Sequence, residues 1–325
     1  MTYERPKRAI IETEYTCNLR CKMCSLWQEN YIKNRNENKN LTEEKLREIY
    51  AKLKEFGVKS VTYIGGEPFL KEYLFSTAKE LKEFGISAST VTNGTVLNEE
   101  KIKEIAEKEL FENIIFSLDG TQKTHDEIRG KGVFEKIYEN IKTLRKIKNK
   151  NKLKKPKVLI YITVWDKNYA DIEKTLRAAS SLNPNKIRIQ LASHISEEII
   201  KKTDSVLKNS IETHSYLNDI QTEKAFVFIK EISFSLKEKY GNLEFEKIFE
   251  EENKKCRFIN KDFIITPNGN ILICPMLTQT VMGNIYQDDL SEVFDKNREK
   301  IEEIKEKAQT GMLPICYECC VEKIR

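Results

Sequence analysis

Short apolar runs of strand type alternate along this chain with stretches whose apolar residues fall on one face of a helix. From Leu41 the pattern is helical: Leu46, Ile49, Tyr50 and Leu53 share a face, Thr42 is placed as N-cap, and Glu43 and Glu44 suit the positive helix end. Leu41 can staple onto Leu46, and Gly57 ends the segment. A strand, Val58 to Ile64, follows. The unit then repeats as helix Lys71 to Phe84, strand Ile86 to Val91, helix Asn98 to Leu110 and strand Asn113 to Leu118. It continues with helix Phe134 to Lys148, strand Val158 to Val164, helix Asp171 to Leu182 and strand Lys186 to Ala192. With the strand Ala9 to Glu14 at the start, these are six βα units, two short of the closed eight-stranded barrel. The expected fold class is α/β, a partial (β/α)6 TIM-type barrel open on one side, with a small C-terminal β-hairpin plus helix module.

Beyond Ser193, the stretches Glu197 to Ser210, Glu223 to Tyr240 and Leu243 to Lys254 read as amphipathic helices. Two apolar runs flank Pro267-Asn268-Gly269-Asn270, which is a hairpin signal, and a last helix is expected from Leu290 to Ala308. The pattern divides the chain into a barrel core at residues 1–195, a helical connector at 196–254 and a C-terminal module at 255–325.

Charge narrows the picture little: 56 basic against 51 acidic residues leave a net +5, which does not define a nucleic-acid face. The densest basic run, Lys142 to Lys157, reads as a solvated loop. No run approaches the roughly 20 apolar residues of a membrane span, and the first residues lack the apolar region of a signal peptide. A cytoplasmic protein with no membrane or nucleic-acid partner is expected.

The eight cysteines change the picture most, because they gather at the two ends of the chain. In a reducing compartment that grouping favours metal ligation over disulfides. Cys17, Cys21 and Cys24 stand at C-x3-C-x2-C spacing directly after the first strand. Three thiolates are one short of both a tetrahedral zinc site and the four irons of a 4Fe–4S cube. A zinc ion borrowing a distant ligand stays open. A cube with one iron left over offers a coordination position to an outside molecule. Polar and glycine residues meanwhile sit at predicted strand ends: Gly65-Gly66-Glu67, Thr92-Asn93, Ser117 with Asp119, and Asn168. Carboxyl ends of parallel strands are where βα architectures place active sites.

The cysteine run followed by Gly65-Gly66-Glu67-Pro68 resembles the radical S-adenosylmethionine (radical SAM) superfamily, with Met23 where that family usually has an aromatic residue. The resemblance implies a SAM-binding 4Fe–4S cluster on Cys17, Cys21 and Cys24, with Met23 as a soft apolar cover. Gly65 and Gly66 would let backbone carbonyls approach the ammonium of SAM, and Glu67 would offer it a negative partner. Thr92 and Asn93 join the cofactor site, Ser117 contacts SAM by its hydroxyl, and Arg129 pairs with its carboxylate. His125 is expected to hydrogen-bond locally, and His194 and His214 have no constellation around them. The implied chemistry is reductive cleavage of SAM to a 5′-deoxyadenosyl radical that abstracts hydrogen, with a reductase such as flavodoxin or ferredoxin supplying the electron.

Cys256, Gly269, Cys274, Cys316 and Cys319 are similar to the twitch form of the SPASM domain, with Asn284 and the helix after it fitting the same pattern. That implies one auxiliary 4Fe–4S cluster on the four cysteines; a structural zinc ribbon has the same ligand spacing. Cys320 is then surplus, an uninvolved thiol or a hydrogen-atom donor. The layout is shared by enzymes that modify ribosomal peptides or protein side chains and by small-molecule dehydrogenases acting on aminosugar or other alcohols. Peptide modification, as crosslink, epimerisation or oxidation, is put first, although the core begins too near Met1 for an N-terminal leader-recognition domain. A non-catalytic carrier of two clusters is the reading from another class; it requires neither the glycine motif nor a barrel.

Overall fold

The computed structural model describes residues 4–24, 26–27, 41–192, 196–207, 221–245, 256, 258–278, 280–317 and 319. β1 (Arg8–Glu12), α1 (Glu43–Phe56), β2 (Ser60–Ile64), α2 (Tyr73–Glu83), β3 (Ser87–Thr92), α3 (Glu99–Glu107) and β4 (Asn113–Ser117) alternate as the pattern predicts. Two helices follow β4, α4 (Gln122–Arg129) and α5 (Val133–Lys150), before β5 (Lys157–Val164), α6 (Ile172–Ser181) and β6 (Lys186–Leu191). The remainder comprises α7 (Glu197–Leu207), α8 (Glu223–Lys239), β7 (Leu243–Phe245), α9 (Phe258–Lys261), β8 (Asp262–Ile265), β9 (Asn270–Leu272), β10 (Val281–Asn284), α10 (Leu290–Lys296) and α11 (Arg298–Gln309).

Local chemistry accounts for these boundaries. Thr42 caps α1 by accepting from the Lys45 N–H at 3.3 Å, and Gly57 closes it in the left-handed region with φ +89°. Asn98 caps α3 in the same way. Along β5, Val158, Ile160, Ile162 and Val164 are buried in the main core. The alternate residues Leu159, Tyr161 and Thr163 are half-buried on the opposite face.

The ten strands form one sheet in the order β10-β9-β8-β1-β2-β3-β4-β5-β6-β7. Every pair from β8 to β7 is parallel, and only β8–β9 and β9–β10 are antiparallel. The expected barrel strands are therefore present and lengthened on both sides. On one side Leu243–Phe245, expected to open a helix, is a strand paired with β6; residues 246–254 lie outside the described ones. On the other side the hairpin does not stand apart, because β8 pairs directly with β1 in the register Arg8 to Asp262. Arg8 Nε donates to Asp262 Oδ1 at 2.7 Å, and a second, shorter contact joins the same two side chains.

Three further expectations are corrected. Gln122–Arg129 is a helix that the apolar pattern missed, and the basic run from Lys142 begins as the last turns of α5. The last helix divides at Asn297, whose side-chain amide donates to Met282 O and Val293 O in competition with the helical ladder.

The C-terminal residues share the barrel's core. Phe56 of α1, Phe263 of β8 and Phe294 of α10 meet with ring centroids 5.1 to 6.0 Å apart. Lys52 of α1 donates to Ile285 O and Asp288 O, and Thr203 of α7 accepts the Ile315 N–H at 3.0 Å. Among the described residues no helix is long and apolar enough to cross a membrane.

Candidate active site

The loop after β1 carries Cys17, Cys21 and Cys24 and is stitched to the loop after β2 through backbone groups. Thr13 N donates to Ile64 O, Gly66 N to Glu14 O at 2.7 Å, and Glu67 N to Thr16 O at 3.0 Å. This explains the two glycines. A Cβ on Gly66 would lie 1.9 Å from Thr16 O, and one on Gly65, at φ +142°, 2.4 Å from Glu14 O. The glycines are thus first required by the close approach of the thiol loop, although both also line the cavity beside it. Trp27 Nε1 and the Cys24 N–H both donate to Cys21 O, and Lys22 N donates to Ile128 O, which fixes the loop against α4.

That cavity holds about 330 Å³ at the carboxyl ends of the parallel strands, and all three thiols stand on its wall. Burial pushes the Cys21 thiol up to about 11, with the Arg129 guanidinium opposing and the other two thiols reinforcing the shift. Cys17 and Cys24 are raised as well, again by burial first. Such thiols ionise readily only when a cation takes the charge, which thiolate-bound iron does. A larger space of about 660 Å³ lies between α2 and α3 on the outer helical layer. It is a groove of charged helix side chains with no thiol or strand end, so we place the chemistry in the smaller cavity.

Glu67 departs from its expected role. Its carboxylate is fully buried and turned into the protein, accepting from Thr92 Oγ1 at 2.7 Å, from Asn93 N at 2.7 Å and from Phe69 N at 3.2 Å. Burial pushes it up to about 7 against the pull of these donors. Glu67 therefore ties the β2 loop to the end of β3 and does not face the cavity. Asn93 then bridges onward, its Nδ2 donating to Asn18 Oδ1 at 2.9 Å and reaching Cys17 Sγ at 3.7 Å.

Arg129, at the end of α4, lines the cavity with its side chain 11% exposed. Its carboxylate partner inside the protein is Asp119: Nε donates to Asp119 Oδ2 at 2.6 Å, while Nη1 reaches Cys21 Sγ at 3.8 Å. Burial works against this cation, yet Asp119 and the thiols together raise its pKa. Asp119 Oδ1 accepts the Thr163 N–H at 2.8 Å, and Asn168 Nδ2 holds Asp119 O and Thr163 O, both at 2.9 Å. His125 hydrogen-bonds locally, its Nδ1 accepting the Asp119 N–H at 3.1 Å, and burial lowers it to about 3.

Ser117, Thr92 and Met23 also line the cavity, Met23 packing beside Ile128, Trp165 and Ala192. Sequence reasoning missed Glu12, Thr163 and Gln190, which share the same wall. They occupy late positions of β1, β5 and β6, and Thr163 and Gln190 are register partners joined by a 3.2 Å hydrogen bond. Counting inward-facing positions to each strand end would have found them.

The second group of thiols also converges. Cys256, Cys274, Cys316 and Cys319 surround a space of about 10 Å³ closed by Phe258, Ile259, Met276, Leu313 and Ile315. Burial pushes the Cys316 thiol far up, with Cys274 and Cys256 reinforcing it. Gly269, at φ +86°, lets the hairpin turn meet Tyr286 and Asn284, where a Cβ would lie 2.4 Å from the Tyr286 ring. Asn284 Nδ2 donates to Asn268 O. Cys320, His194 and His214 fall outside the described residues.

The donor sets fit iron–sulfur clusters: three thiols beside an open cavity, and four, the number of irons in a cube, in an apolar enclosure. Among the described residues no three His, Cys, Asp or Glu side chains are gathered to hold a single metal ion. The two-cluster carrier reading needs neither the strand-end cavity nor the glycine-mediated closure of the two loops.

The model of the radical SAM superfamily matches residues 11–179, more than half of the 325-residue chain. The SPASM iron–sulfur cluster-binding domain matches residues 256–320. The chain belongs to the radical SAM superfamily. Its cofactors are accordingly 4Fe–4S clusters and S-adenosylmethionine. It is 32% identical over 138 residues to the Fe-coproporphyrin III synthase of Methanosarcina barkeri, covering 42% of this chain and 33% of that one. It is 33% identical over 148 residues to the cysteine-type anaerobic sulfatase-maturating enzyme of Clostridium novyi, covering 41% and 38%. The chain thus spans little more than a third of the length of either relative. Among solved structures, anSMEcpe with bound AdoMet and Cp18Cys peptide superposes with a TM-score of 0.68 at 17% identity, covering 99% of this chain and 89% of that one. At that identity the likeness is one of fold.

Proposed function

We propose that this enzyme cleaves S-adenosylmethionine reductively and uses the radical to modify a ribosomal peptide or a protein side chain by crosslinking, epimerisation or oxidation. The observation that carries the reading is the placement of Cys17, Cys21 and Cys24, one thiol short of a cube's four irons, on the wall of a strand-end cavity. When bound, the cluster and SAM supply a 5′-deoxyadenosyl radical able to take hydrogen from an unactivated C–H bond. The chain's own residues hold and shield. The three thiols anchor the cluster, and the backbone edge at Gly65 and Gly66 is free of side chains beside them. Ser117, Thr163 and Gln190 offer hydrogen bonds across the cavity floor, and Met23, backed by Trp165, limits water.

A cavity of about 330 Å³ is small for a ligand pocket, so a cofactor of SAM's size fills most of it. The substrate carbon therefore enters from the open side, which suits a side chain presented on a peptide. The maturating-enzyme relative and the peptide bound in anSMEcpe support the same choice. In this reading residues 1–195 form the SAM-cleaving barrel, 255–325 the auxiliary-cluster module and 196–254 their connector. A flavodoxin or ferredoxin delivers the electron in the cytoplasm.

The test is anaerobic reconstitution with iron, sulfide, SAM and dithionite. Wild type should release 5′-deoxyadenosine and Cys17→Ala none; a fully iron-loaded wild type that releases none would refute SAM cleavage. Co-expression with a candidate substrate peptide in deuterated water should change that peptide's mass, by loss of hydrogen on crosslinking or oxidation and by gain of a deuterium on epimerisation. An unchanged peptide, with turnover of an aminosugar alcohol instead, would move the substrate to the small-molecule class.

A further inference from the structure

Two of the three N-terminal thiols face an N–H donor that a buried carboxylate holds in place. Asn93 Nδ2 lies 3.7 Å from Cys17 Sγ, and Arg129 Nη1 lies 3.8 Å from Cys21 Sγ. Behind Asn93, Glu67 accepts its backbone N–H and the hydroxyl of its neighbour Thr92, both at 2.7 Å. Behind Arg129, Asp119 accepts its Nε at 2.6 Å and pins itself to the Thr163 N–H at 2.8 Å. The two supports arise from different strand ends, Glu67 after β2 and Asp119 after β4, and the donors they hold converge on the one loop. Each carboxylate is at most 1% exposed, so Arg129 cannot swing away without leaving a buried acceptor unmade. Glu67 fixes the Asn93 backbone, while the Thr95 N–H and hydroxyl, donating to Asn93 Oδ1 at 2.9 and 2.7 Å, orient its amide.

We propose that Asn93 and Arg129 set the reduction potential of the cube held by Cys17, Cys21 and Cys24, with Glu67 and Asp119 as the positioning residues that aim them. The inference rests on the reading of those thiols as cluster ligands. One-electron reduction, by dithionite or a flavodoxin-type donor, adds one negative charge that spreads over the cluster and its thiolates. An N–H dipole or a guanidinium directed at a thiolate sulfur stabilises the reduced form more than the oxidised one and raises the potential. Arg129 supplies a full charge in a site screened from water, whereas Asn93 supplies a dipole. Arg129 therefore contributes the larger part.

The experiment is a dithionite titration of the full, iron-reconstituted chain followed by electron paramagnetic resonance. The signal that changes shape on adding SAM marks the N-terminal cube, and the SAM-insensitive signal is the internal reference. Arg129→Gln should lower the equilibrium constant for reducing the SAM-sensitive cluster about tenfold or more, which for one electron is about 59 mV. Arg129→Lys keeps the charge and should shift it less. Asn93→Asp keeps the acceptor that Thr95 uses and replaces the donor by an anion, so it should shift the potential in the same direction. Asp119→Glu, which keeps the charge and displaces the guanidinium, should follow with a smaller shift, and the reference signal should not move. If Arg129→Gln takes up no iron, Arg129→Lys and Asn93→Asp decide the matter. The proposal is overturned if the iron-loaded variants titrate at the wild-type potential, or if the reference signal shifts equally. A wild type in which no signal responds to SAM would instead refute the cluster-ligand reading itself.

Discussion

Cys17, Cys21 and Cys24 share a cavity of about 330 Å³ with Arg129, Asn93 and Gln190, whereas Cys256, Cys274, Cys316 and Cys319 enclose about 10 Å³ walled by aliphatic and aromatic side chains. The same side chain thus serves two ends of the molecule in different ways. Three thiols beside an open cavity would leave one iron of a cube for a molecule from outside. Four thiols in an apolar enclosure would match every iron of a cube and leave no berth. The two sites are nevertheless one construction, because β8 of the C-terminal module pairs with β1, the strand that launches the first thiol loop.

The largest effect should come from removing one thiol at each site in turn. Cys17→Ala should abolish 5′-deoxyadenosine formation and lower iron from about eight to about four per chain. Cys316→Ala should lose a similar amount of iron yet still cleave SAM. Equal loss of SAM cleavage in both variants would erase the distinction drawn here.

Next in size is the support behind the open site. Asp119→Ala leaves the Arg129 guanidinium, 11% exposed, without its ion-pair partner, and should cost about 3–5 kcal/mol in urea unfolding. A loss below about 1 kcal/mol would mean that water reaches Arg129 and that the cavity wall is not built as described.

Glu67 sharpens the comparison through pH. Its carboxyl titrates at about 7 in the folded chain against an ordinary value of 4.5. Between these values the folded state binds the extra proton, so its stability is greatest below about 4.5 and falls as pH rises through about 7. The drop is of order 3 kcal/mol. Glu67→Gln should flatten the dependence, seen as a wild-type-minus-variant difference that shrinks toward neutral pH. A parallel pair of curves would contradict it.

The smallest expected effect lies at the closed site. Thr203→Val removes the acceptor of the Ile315 N–H beside Cys316 and should cost about 1–3 kcal/mol while leaving SAM cleavage intact.

The barrel and the thiol motifs were legible because both are local signals. The face shared by Leu46, Ile49, Tyr50 and Leu53, the Thr42 cap and Gly57 all lie within one helix length of each other. Helix α4 was not legible, since only Thr124, His125 and Ile128 of its eight residues are buried and its apolar stripe is short. The pairing of Arg8 with Asp262 joins residues 254 positions apart, beyond any periodicity. The direction of the Glu67 carboxylate was hidden for a related reason, because it depends on donors from Thr92 and Asn93 on the next strand. Arg129 was found by motif, but its partner Asp119 emerged only when α4 folded back over the end of β4.

The most direct test of the contrast between the two sites is Mössbauer spectroscopy of the chain reconstituted with iron-57, before and after addition of SAM. One iron in about eight should change its isomer shift, as the single iron without a thiolate gains new ligands while the others keep theirs. A spectrum that SAM leaves unaltered, with both clusters fully assembled, would contradict the account.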